Sequence, residues 1–261
     1  MYAFDIETPS SVEEAAEALK SDEAQALGGG QTLIPTLKQR LASPETLVSL
    51  SGIASMKGIS EDGGVLTIGG GTTHAEVAAG AGAYPALAAL AGGIGDPAVR
   101  NRGTIGGSLA NNDPSACYPA AALGSGATIV TNQREIAADD FFTDLFETAL
   151  DEGEIITAVK FPIPQAASYQ KFDQPASRFA LVGVFVSRNG DGVRVAVTGA
   201  SEGGVFRWSE AEQALGKEFR TDALMDLKVN PANMIGDIHG TQEYRAHLIG
   251  VMTKRAVAAA G

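Results

Sequence analysis

The stretch DPAVRNRGTIGGSLANNDPSA, residues 96–116, decides the fold. It consists largely of Gly, Asn, Asp, Pro and Ser, the residue types that turns prefer. A polar, glycine-dense stretch of this length inside a compact domain is usually functional, because long structureless loops are otherwise uncommon. The sequence therefore predicts that residues 96–116 form a long binding loop with little regular structure.

Two more glycine clusters precede this loop, at residues 28–32 (GGGQT) and 69–73 (GGGTT). Each follows a predicted strand, residues 24–27 and 65–68, and leads into a predicted helix. Glycine lets backbone N–H groups approach a ligand closely, and a helix N-terminus adds partial positive charge, so diphosphate is the expected guest. One such cluster is commonly only a tight turn. Three of them together favour a dinucleotide cofactor.

Two common nucleotide-binding motifs are absent from the sequence. None of the clusters reads G-x-G-x-x-G with an acidic residue about 20 positions later, which excludes a Rossmann fingerprint. None reads G-x-x-x-x-G-K-[ST], which excludes a P-loop. The remaining interpretation is a dinucleotide held by neutral backbone N–H groups. Arg100 and Arg102 either fix the loop around the glycines or meet a partner subunit.

Charge and composition exclude several classes of protein. The chain has 19 Lys plus Arg against 31 Asp plus Glu, a net charge of −12, and 6% aromatic residues, which argues against nucleic acid as a partner. The one cysteine, Cys117, cannot hold an iron–sulfur cluster, and the three histidines lack metal-ligand spacing. No apolar run approaches the roughly 20 residues of a membrane span. We predict no metal site, no integral membrane segment and a cytoplasmic location.

The pattern of apolar residues divides the chain into three segments, residues 1–55, 56–165 and 166–261. In the first, a capping box at Ser11 begins a helix between two strands, and the whole segment predicts a β-α-β-α-β unit. The predicted strands and helices of this segment are residues 2–6, 12–19, 24–27, 33–41 and 46–50.

The other two segments differ from the first in their predicted elements. The middle segment predicts an acidic helix over residues 139–150 between two strands. In the third, the turn signals Asn189-Gly190 and Asp191-Gly192 predict a β-hairpin followed by helices. The predicted elements of these segments are the strands 65–68, 127–130, 154–161, 179–187 and 193–198, the helices 84–91, 139–150, 209–215 and 221–227, and a terminal helix of about 18 residues.

Three stretches together resemble a known family. LGGGQTLIPTLKQRL (residues 27–41), IGDPAVRNRGTIGGSLANNDPSACYPAA (94–121) and DIHGTQEYRAHLIGVMTKRAV (237–257) resemble the FAD-binding medium subunit of molybdenum hydroxylases, with the carbon monoxide dehydrogenase type most alike. The resemblance covers the whole chain in order. It implies an α+β protein: a vanillyl-alcohol-oxidase-type FAD-binding fold of two α/β subdomains (1–55 and 56–165), plus a C-terminal domain (166–261) with a three-stranded antiparallel sheet and helices.

The resemblance also implies which residues contact FAD. The family's first glycine loop and its T-I-G-G-N/S loop contact the diphosphate, the N-x-D-P turn follows, and a second glycine turn and several apolar or flavin-side positions complete the set. It implies no catalytic residue and no metal ligand on this chain. The implied contacts are Gly28, Gly29, Gly30, Gln31, Thr32, Leu33, Thr72, Thr73, His74, Ile94, Thr104, Ile105, Gly106, Gly107, Ser108, Asn112, Asp113, Cys117, Ile156 and Lys171.

One position departs from the family pattern. Members often carry a carboxylate four residues after the aspartate of the N-x-D-P turn, and this chain has Cys117 there. A thiol hydrogen-bonds weakly, so this departure predicts altered flavin binding or redox potential. The alternative is that Cys117 is a small buried residue of a packed turn.

The function that the resemblance implies is electron transfer. A large molybdopterin subunit oxidises the substrate, a small subunit with two [2Fe–2S] clusters relays electrons, and FAD on this chain passes them to an external acceptor. The implied assembly is a dimer of heterotrimers, cytoplasmic or peripheral at the inner membrane face. The alternatives are a stand-alone FAD-dependent reductase of the same fold and a flavin-free scaffold subunit. The sequence leaves open the acceptor and whether the substrate is carbon monoxide, an aldehyde or an N-heterocycle.

Overall fold

The computed structural model describes residues 1–260, and its N-terminal part is a small layered unit of strands and helices. Its elements are β1 (Asp5–Glu7), α1 (Val12–Ala18), β2 (Ala24–Leu27), α2 (Leu33–Lys38) and β3 (Thr46–Ser49). The sheet is parallel, in the order β1-β3-β2, because each pair of consecutive strands is joined through a helix. The predicted β-α-β-α-β pattern is confirmed. Ser11 begins α1 by accepting a hydrogen bond from the N–H of Glu14 at 3.1 Å.

The middle part of the chain builds a larger sheet covered by helices. Its elements are β4 (Ile59–Asp62), β5 (Val65–Gly69), α3 (His74–Gly80), α4 (Pro85–Gly92), α5 (Pro97–Arg100), α6 (Ile105–Asn111), α7 (Tyr118–Ser125), β6 (Thr128–Thr131), β7 (Glu135–Ala137), α8 (Ala138–Phe141), β8 (Phe142–Asp144), β9 (Glu147–Thr148) and β10 (Ile156–Pro162). Five strands pair antiparallel in the order β4-β5-β10-β6-β7, and β8 and β9 form a separate hairpin. Leu66, Ile129 and Phe161 lie in the buried core of this part.

The prediction of a structureless loop over residues 96–116 is wrong. This stretch contains the helices α5 and α6. Asp96 caps α5 by accepting from the N–H of Val99 at 2.9 Å, and Thr104 caps α6 by accepting from the N–H of Gly107 at 3.1 Å. Polar residues that read as turn formers therefore act as helix N-caps, which prefer the same residue types.

The predicted acidic helix over residues 139–150 is also wrong. Only α8 is helical, and the β8–β9 hairpin follows it. The turn between the two strands contains Phe146, whose φ is +56°. The Nδ2 atom of Asn112 donates to the carbonyl oxygens of Asp144 and Glu147 at 2.8 and 2.9 Å. This tertiary contact fixes the hairpin, and helical spacing within the segment could not reveal it.

The C-terminal part is a twisted antiparallel sheet with a long helix against it. Its elements are β11 (Ala166–Asp173), β12 (Ala180–Asn189), β13 (Gly192–Thr198), β14 (Phe206–Arg207), α9 (Ser209–Lys217) and α10 (Gln242–Ala260). The expected three strands are β11, β12 and β13, and the two-residue β14 adds a short fourth at the edge. The predicted helix 221–227 shortens to a 3₁₀ turn, Thr221–Leu224, because only Leu224 of this stretch is buried.

The C-terminal sheet packs directly on the middle part. Phe185 of β12 belongs to the same buried core as Tyr84, and their rings meet edge to face with centroids 6.2 Å apart. The sheets fall within residues 5–49, 59–162 and 166–207. We propose the divisions at 55/56 and 165/166 as the domain boundaries. No helix within residues 1–260 is long and apolar enough to cross a bilayer.

Candidate functional site

A cleft of about 790 Å³ passes the ends of β2 and β5 and the start of α6. Small-molecule and cofactor sites typically enclose 300–1,000 Å³. The wall contains residues of all three glycine clusters, and the segments 94–103 and 177–179 extend it. The three clusters, far apart in sequence, therefore belong to one site.

The clusters fit together only because they are glycines. A Cβ atom on Gly29 would lie 1.9 Å from the carbonyl oxygen of Arg102, and a Cβ on Gly70 would lie 2.1 Å from that of Ile156. The N–H of Gly106 donates to the carbonyl oxygen of Gly70 at 2.9 Å. Backbone therefore packs directly on backbone where the N-terminal and middle parts meet, which any side chain would prevent.

The first glycine loop presents free hydrogen-bond donors. Within residues 1–260, none of the N–H groups from Gly29 to Leu33 donates a hydrogen bond. The loop 103–108 differs, because the N–H of Gly107 donates to the Thr104 hydroxyl and the N–H of Ser108 donates to the Thr104 carbonyl oxygen. A diphosphate in the cleft would therefore find its unengaged backbone donors on the loop 28–33.

Two basic side chains add charge to this wall. Lys57 and Arg102 line the cleft, and neither pairs with a carboxylate anywhere in the described chain. The cleft therefore offers two cations in addition to the neutral backbone groups that were expected to face a diphosphate. Arg100 fixes the backbone around residues 94 and 95, because its Nη1 donates to the carbonyl oxygens of Ile94 and Gly95 at 2.9 Å each.

His74 lies in the wall with an unused ring nitrogen. Its backbone N–H donates to the carbonyl oxygen of Gly103, and its ring lies 5.3 Å from that of Tyr118. The side chain is buried and its Nδ1 atom has no hydrogen-bond partner. Burial, helped by the nearby charge of Arg100, lowers the pKa of His74 to about 4. The imidazole is therefore neutral at pH 7, with its Nδ1 atom buried and unpaired.

Asp113 and Cys117 also line the cleft. Burial raises the pKa of Asp113 above its ordinary value, while the N–H of Ser115, which donates to its Oδ1 at 2.8 Å, opposes that rise. Burial also raises the pKa of the Cys117 thiol, and Lys171 opposes that rise. Cys117 therefore faces the cleft chiefly as a neutral thiol.

A buried ion pair supports the cleft floor at Glu154. The Nε and Nη2 atoms of Arg134 donate to the two carboxylate oxygens at 3.0 and 2.9 Å, and the hydroxyl of Thr131 donates to the same group at 2.6 Å. The Glu154 side chain is fully buried, whereas that of Arg134 is 45% exposed. Hydrogen bonding from Arg134 lowers the pKa of Glu154 to about 2. The carboxylate is therefore ionised at pH 7 and already paired with a cation, as expected of a structural group.

Sixteen of the twenty predicted contact residues line the cleft. The other four do not. Thr72 is turned to the backbone of Gly58, Ile105 is buried in the core, and the Nδ2 atom of Asn112 is engaged by the β8–β9 hairpin. Lys171 lies behind the wall. The residues that line it are Gly28, Gly29, Gly30, Gln31, Thr32, Leu33, Thr73, His74, Ile94, Thr104, Gly106, Gly107, Ser108, Asp113, Cys117 and Ile156.

The sequence analysis missed several wall residues. Gly70 and Gly103 lie inside glycine clusters that it did identify, so the pattern contained their signal. Lys57 and the segment 177–179 have no local motif, and only the tertiary fold brings them to the cleft. No group of metal-ligating side chains occurs within residues 1–260, the part of the chain that was searched.

Comparison with known proteins gives consistent matches along the chain. A family model described as the FAD binding domain in molybdopterin dehydrogenase matches residues 2–164. The nicotine 6-hydroxylase medium subunit of Paenarthrobacter nicotinovorans is 34% identical, over 97% of this chain and 96% of that protein. The carbon monoxide dehydrogenase medium chain of Afipia carboxidovorans is 33% identical, over 98% and 96%.

Solved structures agree over the full length. Reconstituted CO dehydrogenase from Oligotropha carboxidovorans superposes with a TM-score of 0.90 at 30% identity, covering 100% of this chain and 99% of the matched chain. Quinoline 2-oxidoreductase from Pseudomonas putida 86 gives 0.87 at 29% identity, covering 99% and 97%. The similarity therefore includes the C-terminal part, which lies outside residues 2–164.

Proposed function

Since the chain belongs to the family of the FAD binding domain in molybdopterin dehydrogenases, we propose that it is the FAD-carrying electron-transfer subunit of a molybdenum hydroxylase of the carbon monoxide dehydrogenase type. It would receive electrons from [2Fe–2S] clusters of a partner subunit and pass them to an external acceptor. One observation carries the proposal most directly. The free N–H groups of residues 29–33 face a cleft that also presents Lys57 and Arg102.

The residues present fit FAD. Neutral N–H donors beside two unpaired cations suit a dianionic diphosphate. The same wall also carries apolar side chains, namely Ala26, Leu50, Ile94, Ile155 and Phe179. A wall that combines hydrogen-bond donors with apolar surface suits a cofactor whose ring systems are joined by a diphosphate.

When bound, the isoalloxazine ring supplies the redox chemistry, and the chain supplies position and electrostatics. The imidazole of His74 adds no charge to the wall at pH 7, since its pKa of about 4 lies well below neutrality. Asp113 and Cys117 place a carboxyl group and a thiol on the wall of the cleft. The carboxylate of Glu154 already pairs with Arg134 and is not free to act as a base. The site therefore binds and orients a cofactor, and substrate chemistry belongs to another chain.

The proposal includes partner subunits. The single Cys117 cannot ligate a cluster, so the [2Fe–2S] clusters and the molybdopterin cofactor would sit on a small and a large subunit, assembled as a dimer of heterotrimers. Relatives of similar identity are named for nicotine and for carbon monoxide. Resemblance in this subunit therefore does not follow the substrate, as expected if substrate binds elsewhere.

Two alternatives have less support. Similarity over nearly the full length to proteins named as a medium subunit and a medium chain disfavours a stand-alone reductase. Free donors on the loop 28–33, with the glycine contacts around them intact, disfavour a flavin-free scaffold.

A reduction experiment on the co-expressed complex tests the electron-transfer role. Under anaerobic conditions, substrate that reduces the iron–sulfur clusters should bleach the flavin absorbance band as well. In a Gly107→Val complex the new side chain disturbs the wall of the cleft, because a Cβ there already lies 2.9 Å from the Thr104 hydroxyl and both residues line the cleft. We expect that complex to bleach only in its cluster bands and to lose transfer to an external dye. Full turnover with a permanently oxidised flavin in the wild-type complex would contradict the proposal.

A further inference from the structure

Lys171 lies behind the wall of the cleft with its ammonium group fully engaged. It extends from β11 and its side chain is 8% exposed. The Nζ atom donates to the carbonyl oxygens of Gly93 and Arg178 at 2.8 Å each and pairs with a carboxylate oxygen of Asp173 at 3.0 Å. The Sγ atom of Cys117 lies 3.8 Å from the same ammonium.

Three of these contacts, those to Gly93, Arg178 and Cys117, lead to different pieces of the wall. Gly93 precedes Ile94, which lines the cleft, and Cys117 lines it directly. Arg178 and Phe179 line it from the C-terminal part of the chain. One buried cation therefore joins three wall segments that come from two domains.

Within residues 1–260, Lys171 supplies the hydrogen bond that links the segment 174–179 to the rest of the protein. Two of its hydrogen bonds are internal, from the N–H of Gln174 to the carbonyl oxygen of Phe179 and from the N–H of Arg178 to that of Gln174. Arg178 has a φ of +60°, a conformation that costs energy for a residue other than glycine. The contact from Lys171 to the Arg178 carbonyl oxygen ties this strained turn to Gly93.

We propose that Lys171 is a positioning residue that sets the Cys117 thiol and the segment 174–179 against the cofactor end of the cleft. Its role for the cofactor rests on the function proposed above. Its effects on the thiol and on the segment do not, because both belong to the chain without cofactor. The resemblance implied direct contact between Lys171 and FAD. The geometry instead assigns the residue an action through its neighbours.

The groups that face the Cys117 thiol decide how it titrates. Lys171 and Asp173 are the charged groups nearby, and the hydroxyls of Tyr169 and Tyr118 are the other titratable groups packed around it. Burial raises the thiol pKa, the ammonium lowers it and the Asp173 carboxylate raises it. Removing the ammonium therefore shifts thiolate formation to higher pH.

Alkylation of the single cysteine measures this directly. In Lys171→Met the midpoint of the pH profile for iodoacetamide should move up by about 1 pH unit, as expected when a cation within 4–6 Å of a thiolate is lost. Lys171→Arg keeps the charge and should retain the wild-type midpoint. The matched control is Lys160→Met, which removes a surface lysine paired with Glu135 and should also leave the midpoint in place. A merely structural lysine would change the rate without moving the midpoint.

Trypsin cleavage after Arg178 measures the second effect. In the folded Lys171→Met chain, appearance of the fragment that begins at Phe179 should be about tenfold faster than in wild type, because the segment loses its tie to Gly93. Asp173→Asn is the milder variant. It keeps both carbonyl contacts of Lys171 and should change the rate less than twofold.

The outcomes separate this inference from the proposed function. An unchanged midpoint and an unchanged cleavage rate in Lys171→Met would overturn the positioning role even if wild type binds FAD. Both effects together with wild type that never binds FAD would instead overturn the proposed function. If wild type binds FAD and both effects are observed, Lys171→Met should weaken FAD affinity about tenfold, and Lys171→Arg should keep most of the affinity.

Discussion

Gly29→Ala should abolish retention of FAD by the chain. The added Cβ would lie 1.9 Å from the carbonyl oxygen of Arg102, so the loop 28–33 must move away from the middle part. The free N–H donors of that loop and the Arg102 side chain then no longer face the same point. Overpacking of this kind costs about 3 kcal/mol, which corresponds to a roughly 100-fold loss of affinity. The measurement is the FAD-to-protein ratio after desalting.

The matched control is Gly216→Ala in helix α9. A Cβ at Gly216 meets no atom within 4 Å, and alanine favours a helix, so FAD content should equal that of wild type with slightly higher stability. Wild-type FAD content in Gly29→Ala would show that the loop 28–33 does not hold the cofactor.

Arg134→Met should destabilise the chain at pH 7. The substitution leaves the buried carboxylate of Glu154 without its cation, and only the hydrogen bonds from the Thr131 hydroxyl and the Asp151 N–H then remain. Hydrogen bonding from Arg134 is the main reason why the pKa of Glu154 is lowered to about 2 in the folded chain, so the stabilisation of the carboxylate is largely lost with the guanidinium.

The pH dependence of this effect has a definite sign. Because the folded chain binds the Glu154 proton less tightly than the unfolded chain, the stabilisation is present above about pH 4.5 and is lost as the pH falls towards 2. Urea unfolding at several pH values should therefore show wild type and Arg134→Met converging in acid. Arg220→Met removes an exposed arginine that pairs with Glu218 and Asp222, and should leave the urea unfolding curve nearly unchanged at any pH. Parallel pH curves for wild type and Arg134→Met would contradict the assignment.

Local signals in the sequence predicted much of the fold. The β-α-β-α-β unit followed from apolar spacing and from the cap at Ser11, and the hairpin between β12 and β13 followed from its Asn-Gly and Asp-Gly turn. The segment 96–116 was predicted wrongly because helix N-caps and turns share residue types. Asp96 before Pro97 is in fact a cap followed by proline at the first helical position, a helix start signal that was present in the sequence.

The candidate site was predictable only in its parts. Each glycine cluster could be identified as a close-approach loop, but the contact of Gly29 with Arg102 depends on how two domains pack. Asn112 and Lys171 illustrate the same point, because their roles are set by partners 32 to 78 residues away. The spacing of residues within a motif does not reveal contacts between residues so far apart in sequence. The family pattern indicated which residues belong to the site but not what each of them contacts.

The absorbance spectrum of the isolated full-length chain, incubated with FAD and then desalted, tests the central claim most directly. This chain supplies the free donors of the loop 28–33 and the cations Lys57 and Arg102 that line the cleft. We therefore expect flavin bands in the protein fraction at about one FAD per chain, without any partner subunit. A folded chain that leaves the column colourless would contradict it.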